Sequence, residues 1–187
     1  MIVVVSGLPR SGTSLLMQML AAGGLTPLTD AFRAPDDSNP RGYYEHEGVK
    51  ALARDAAWVP DADGHALKVV APLLPLLPPG PDYRVVFTDR ALDEVLRSQA
   101  SMLTRLGRPA ARPEVIRPVF ERQLAAAHAW AAAHATASLT LPYPALLADP
   151  AAAAARLADF IEAGGAAPLD RPAMAATIDP ALYRERA

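Results

Sequence analysis

Near the start of the chain, Gly7-Leu8-Pro9-Arg10-Ser11-Gly12-Thr13-Ser14 gathers two glycines, one permanent cation and three hydroxyls directly after the apolar run Ile2-Val3-Val4-Val5. A turn of this kind after a strand exposes successive backbone N–H groups. A helix beginning near Gly12 adds its unpaired first amides and the positive end of its dipole, so the segment reads as a cradle for an anion. Its spacing is close to the nucleoside-triphosphate loop of Gly, four residues, Gly, Lys and Ser or Thr, in which the Lys reaches the β and γ phosphates and the hydroxyl holds Mg²⁺. Here Thr13 stands at the Lys position and the positive charge has moved back to Arg10. That exchange speaks against Mg²⁺-dependent phosphoryl chemistry. The structural alternative is an ordinary glycine turn before a core helix.

The hexapeptide Pro9 to Ser14 resembles the sulfotransferase family, whose loop reads Pro, Lys or Arg, Ser, Gly, Thr, then Ser or Thr. In that family the loop grips the 5′-phosphosulfate of 3′-phosphoadenosine 5′-phosphosulfate, PAPS. The resemblance implies that Pro9, Arg10, Ser11, Gly12, Thr13 and Ser14 bind the donor, with Arg10 neutralising charge on the bridging oxygen. Stabilisation of that type contributes on the order of 3 to 4 kcal/mol per well-placed donor. The family works without Mg²⁺, and no metal is expected. A second match is Val85-Val86-Phe87-Thr88-Asp89-Arg90 with Ser98 eight residues on, the family's pairing of a strand-end Arg and a helical Ser on the donor 3′-phosphate. The local match is partial, since Arg-Ala-Leu-Asp stands where the family often has Arg-Asp-Pro. The alternative for Arg90 is a surface salt bridge with Asp93 or Glu94. A third match, Leu139 to Pro150, repeats the family's strand, Tyr loop, Asp-Pro and helix, with Pro144 in place of the usual Glu.

Transfer to a hydroxyl or amine requires a group that removes the acceptor's proton, typically worth about 10² to 10⁴ in rate. The family's Lys-Thr-His-Leu-Pro segment aligns with Lys68-Val69-Val70-Ala71-Pro72, which keeps the Lys and Pro but puts Val70 at the His position. The substitute base is sought in Asn39-Pro40-Arg41-Gly42-Tyr43-Tyr44-Glu45-His46-Glu47, which resembles a block of bacterial relatives. Glu45 is the first choice, His46 and Glu47 are neighbouring alternatives, and an acid-rich helix start is the structural one. Lys68 by resemblance assists the leaving phosphate, or simply ends a strand.

The elements that would position these residues follow from hydrophobic pattern. Strands are expected at Ile2 to Ser6, Ala66 to Val70, Tyr83 to Thr88 and Ala137 to Leu141, the first and third Val-rich and therefore central. Helices are expected at Gly12 to Ala22, Glu45 to Asp55, Ala91 to Leu106, Glu114 to Ala135 and Pro150 to Ala163. The alternation predicts an α/β fold, a three-layer α/β/α P-loop-type arrangement with a mostly parallel central sheet. Pro72 to Pro81 reads as a short turn of helix or loop. Arg105 to Pro113, with Arg105, Arg108 and Arg112, reads as a basic loop that faces water or reaches the acceptor. Trp130 continues a helical stripe with Ile116, Phe120, Leu124 and Ala127 and reads as core, while Trp58 caps the core or lines an acceptor pocket.

Composition sets the outer limits. With 187 residues, 51% of them hydrophobic, the chain suits one domain over residues 1–187. Net charge of −2 excludes a generally basic nucleic-acid surface, and the absence of Cys excludes disulfides, thiolate metal sites and Cys nucleophiles. The short N-terminal apolar run, without a basic region before it, and the Pro- and Gly-broken later stretches predict a cytoplasmic protein that does not enter a membrane. The family's basic glycine-containing loop near the C-terminus has no counterpart here, and Arg184 and Arg186 either replace it or do nothing. The chain is short for the family, so the expected site is open or completed by a second subunit, as in a homodimer. The expected activity is transfer of a sulfuryl group from PAPS to a hydroxyl or amine of a small-molecule or glycan acceptor. A non-catalytic nucleotide-binding protein, and below it a divergent nucleotide kinase, are the alternatives.

Overall fold

The computed structural model describes residues 1–30, 36, 39, 41–179 and 181. Pro40, Arg184 and Arg186 lie outside the described residues.

Four parallel strands form one sheet in the order β2-β1-β3-β4. They are β1 Ile2–Ser6, β2 Ala66–Lys68, β3 Tyr83–Asp89 and β4 Ala137–Pro142. The Val-rich strands β1 and β3 occupy the centre, as expected, because strands buried on both faces need side chains that are apolar throughout. The helices are α1 Thr13–Ala22, α2 Glu47–Lys50, α3 Leu92–Arg105, α4 Pro113–His134, α5 Tyr143–Ala148, α6 Pro150–Glu162 and α7 Arg171–Ala176, with 3₁₀ turns at Val59–Ala62 and Ala71–Leu76.

Side-chain alternation along the strands divides the core into two halves. Ile2, Val4, Leu67, Tyr83, Val85 and Phe87 face α3, α4 and the 3₁₀ turns. Val3, Val5, Ala66 and Val86 face α1, α6 and α7. The result is the expected three-layer sandwich. Trp130 is in the first half, 8% exposed and edge-on to Tyr83 with ring centroids 5.4 Å apart.

Two expected elements differ. The strand expected to reach Val70 ends at Lys68, since the chain turns into a 3₁₀ segment at Ala71, with Pro72 next. The helix expected over Glu45 to Asp55 is reduced to the single turn α2, followed by turns through Arg54. Gly48 weakens that helix, and packing of Val49 and Leu52 into the core, with the Trp58 indole against Gly48, fixes the segment instead.

Strand order locates the working end of the sheet. From β1 the chain leaves through α1 on one face and returns as β2. From β3 it leaves through α3 and α4 on the other face and returns as β4. The loops after β1 and β3 therefore diverge, and such a switch point is where open α/β sheets hold ligands.

Candidate functional site

The loop after β1 is built around two close approaches. A Cβ on Gly7 would stand 2.4 Å from Thr88 Oγ1 and 2.6 Å from Ser11 Oγ, and one on Gly12 would stand 2.6 Å from the Tyr143 ring. Gly12 also has φ +112°, which side-chain-bearing residues rarely adopt. Between them Arg10 adopts φ +73°, an uncommon conformation for a non-glycine residue that only strong local support maintains.

That support comes from Ser11 and Arg90. Ser11 donates its hydroxyl to the Leu8 carbonyl at 2.7 Å, so its 2.5 Å contact with Thr88 Oγ1 has Thr88 as donor. Its amide also donates to the Leu8 carbonyl. Ser11, expected to meet the ligand, thus holds the loop from beneath, 2% exposed. Arg90, at the end of β3, donates from Nη1 to the Arg10 carbonyl at 3.1 Å and from Nε to Glu94 at 2.8 Å. The salt bridge anticipated as the alternative for Arg90 exists, but it is buried rather than on the surface: the two side chains are 7% and 5% exposed. The Arg90 guanidinium also lies over the Tyr143 ring at 4.9 Å.

Arg10 and Ser98, separate in the sequence reading, meet. Arg10 Nε donates to Ser98 Oγ at 3.2 Å. Burial holds the Arg10 guanidinium below its ordinary pKa; Tyr43 and Asp36 oppose the fall, while Arg105 and Arg90 add to it. Burial likewise raises the Tyr143 phenol.

On the other side of the loop, Lys68 and Ala66 share the α1-facing side of β2 by strand alternation. Lys68 is 6% exposed and donates to the Tyr43 carbonyl at 2.7 Å and to Ser14 Oγ at 3.1 Å. Its ammonium lies 3.7 Å from Glu45, which Lys50 also approaches at 3.7 Å. Ser14, Lys68 and Glu45, drawn from three segments, form one cluster. The other base candidates stand differently. His46 lies against Trp58 with ring centroids 4.6 Å apart, and Glu47 is exposed, its amide donating to Asp30. Thr13 is buried in the first turn of α1, and Pro9 lies half-buried in the loop.

Gly12 offers no side-chain cap and the first turn of α1 carries no acidic residue. The helix's initial amides have no intrahelical acceptors, and with Arg10 at the loop they suit an anion. A cavity of about 310 Å³ opens beside the loop, bounded in part by Leu8, Phe87, Asp89, Arg90, His128 and Thr140. Among the described residues there is no cluster of His, Cys, Asp or Glu able to hold a metal ion, and no helix is long and apolar enough to cross a membrane.

Three contributors were not singled out in the sequence: Thr88, Tyr143 as the floor under Gly12, and Glu94 as a buried partner. Only Glu94 left a signal, its four-residue spacing from Arg90. The other two act through contacts between segments 77 and 131 residues apart, Ser11 with Thr88 and Gly12 with Tyr143.

No protein-family model and no curated protein sequence matches the chain. Among solved structures it is similar to the crystal structure of retinol dehydratase in complex with androsterone and the inactive cofactor PAP, with a TM-score of 0.56 and 20% identity. The match covers 94% of this chain and 62% of that one, so the chain spans less than two thirds of the length of retinol dehydratase. At this identity the likeness establishes the fold.

Proposed function

We propose that the protein is a sulfotransferase that uses PAPS as donor and a hydroxyl or amine as acceptor. The observation that carries this reading is the convergence of Ser14, Lys68 and Glu45 at the mouth of the loop: a hydroxyl, a buried ammonium and a carboxylate, with Lys68 3.1 Å from Ser14 and 3.7 Å from Glu45. The PAP in the retinol dehydratase structure, read as adenosine 3′,5′-bisphosphate, is what PAPS becomes on losing its sulfuryl group, and it supports the choice of donor.

In this reading the amides at the start of α1, with Thr13 and Ser14, hold the 5′-phosphosulfate. Arg90 and Ser98 hold the 3′-phosphate. The acceptor oxygen or nitrogen attacks sulfur, the bond from sulfur to the bridging oxygen breaks, and the bridging oxygen keeps the electron pair as a phosphate oxygen. Arg10 and Lys68 stabilise that charge, the largest type of catalytic contribution in many enzymes. The acceptor's proton passes to the Glu45 carboxylate, which Lys68 keeps beside the loop. Thr13, at the position of the nucleotide-loop Lys, sets the reading apart from a kinase.

Calorimetric titration with adenosine 3′,5′-bisphosphate, against ATP with Mg²⁺, tests it. Binding of the bisphosphate alone, lost in Arg10→Ala and Arg90→Ala, is expected. Preference for ATP with Mg²⁺ refutes the reading.

A further inference from the structure

From the last turn of α3 to the first turn of α4, residues 104–115 are all exposed. Three large hydrophobic side chains are exposed among the described residues, and two of them are here, Leu106 at 52% and Val115 at 61%. Met102, Leu103, Ile116 and Val119, in the adjoining turns, are only half-buried. The backbone holds these residues at one tip. Gly107, at φ +64°, ends α3: its amide returns to the Thr104 carbonyl and the Arg108 amide to the Leu103 carbonyl at 2.9 Å. In such a helix end the residue after the glycine's neighbouring cap often packs an apolar side chain back on the helix, but here that residue is Arg108, which leaves Leu103 uncovered. The Arg112 carbonyl accepts from the amides of Val115 and Ile116 and opens α4. Only Pro109, Ala110 and Ala111 separate Arg108 from Arg112, so the two helix ends stand within about 14 Å of each other. Arg105, Arg108 and Arg112 are exposed at this tip, none of the ion pairs among the described residues includes them, and residues 95–113 carry no acidic residue.

The tip therefore joins two properties that a single simple partner does not satisfy. A soluble polyanion would pair with the arginines and leave Leu106 and Val115 in water, whereas an apolar surface would cover the aliphatic groups and strip the guanidiniums of water without pairing them. A bilayer that carries acidic lipids offers both, phosphate and carboxylate groups above acyl chains, and it deforms around a projecting tip without a matched groove. Arginine suits that boundary, since its stem lies along apolar surface while the guanidinium stays at the headgroups. With a net charge of −2 the chain as a whole is not drawn to an anionic surface, so attraction has to be local. We infer that the α3–α4 tip docks on an anionic bilayer surface, with Leu106 and Val115 entering the boundary between headgroups and acyl chains and Arg105, Arg108 and Arg112 meeting the lipid headgroups. No helix among the described residues is long and apolar enough to cross a membrane, so the contact is peripheral.

Sedimentation of the full chain with vesicles tests this, using phosphatidylcholine alone and phosphatidylcholine mixed with phosphatidylserine. Binding to the mixed vesicles only is expected. Each arginine contributes about fivefold near such a surface, so Arg105→Gln with Arg108→Gln and Arg112→Gln is expected to weaken binding about 100-fold. Leu106→Ser with Val115→Ser, which leaves the charge unaltered, is expected to weaken it by about tenfold or more. Arg156→Gln, a loss of charge on an exposed residue of α6 across the sheet, leaves binding within about twofold, whereas Arg105→Gln alone costs about fivefold. All these positions are exposed, so urea midpoints are expected to stay at the native value and to show that the variants fold. No sedimentation with the mixed vesicles, equal sedimentation with phosphatidylcholine alone, native binding by Leu106→Ser with Val115→Ser, or equal effects of Arg105→Gln and Arg156→Gln would overturn the inference. The third of these outcomes is the one a soluble acidic partner would give.

Discussion

Replacing Lys68 by Met removes the ammonium while leaving an unbranched apolar chain of similar reach in the same slot. In the native protein that ammonium is almost fully buried, donates to the Tyr43 carbonyl and the Ser14 hydroxyl, and pairs with Glu45. Hydrogen bonds from a charged donor contribute about 1.5 to 3 kcal/mol each. Burying the ammonium costs several kcal/mol, which largely cancels that gain, so the net change in stability is expected to stay within about 2 kcal/mol. Ligand binding has no such compensation. If Lys68 donates to a phosphate seated on the loop, its loss costs about 1.5 to 3 kcal/mol of binding, or about 10- to 150-fold in Kd. Urea denaturation reports the first quantity and calorimetric titration with adenosine 3′,5′-bisphosphate the second. A variant that binds within about threefold of the native protein, or whose affinity falls only in step with its stability, would refute the assignment of Lys68 to the ligand.

Gly12→Ala meets two costs, an unfavourable φ of +112° worth about 1 to 3 kcal/mol and a Cβ 2.6 Å from the Tyr143 ring. Adding Tyr143→Ala removes only the second, so the two substitutions should be non-additive in denaturation by about 1 kcal/mol or more, and strict additivity would disprove the contact. Burial pushes the Tyr83 phenol up to about 12 from an ordinary 10.0, so folding favours the protonated form. The resulting stability is fully present below pH 10 and is lost as pH rises through about 12. Tyr83→Phe should therefore lose less stability than the native protein across that window. Parallel stability curves there would contradict it.

What the sequence disclosed depended on whether the deciding interaction was local. The Val-rich composition of β1 and β3 placed them at the centre of the sheet because burial on both faces is a property of each strand's own residues. The helix over Glu45 to Asp55 failed because its acids and aliphatic residues carry helical spacing, while Gly48 and the packing of Trp58 and Leu52 decide the conformation from outside the window. The loop motif suggested an anion cradle with Ser11 at the ligand, but did not disclose that the Ser11 hydroxyl holds Leu8 and Thr88. No single-residue pattern distinguishes a Ser that faces up from one that faces down. Arg90 illustrates the same limit: the sequence offered a surface salt bridge with Asp93 or Glu94 as the alternative, but the burial of the Glu94 pair depends on Tyr143 and on the Arg10 carbonyl across the site.

The buried Arg90–Glu94 pair is weak evidence for stability, since an apolar pair of similar volume often serves as well. Its meaning lies in what Arg90 touches. The peptide unit joining Arg10 to Ser11 is held at both ends, its carbonyl by Arg90 Nη1 and its amide by the Leu8 carbonyl. That unit follows the one residue of the loop forced to φ +73°, and relaxation of Arg10 would turn the plane and release both bonds. Glu94 fixes Arg90, Arg90 fixes the plane, and the plane fixes the direction in which Arg10 leaves the backbone toward Ser98. The ordering of the loop is thus completed on folding, so a ligand that needs this arrangement does not bear the entropic cost of creating it.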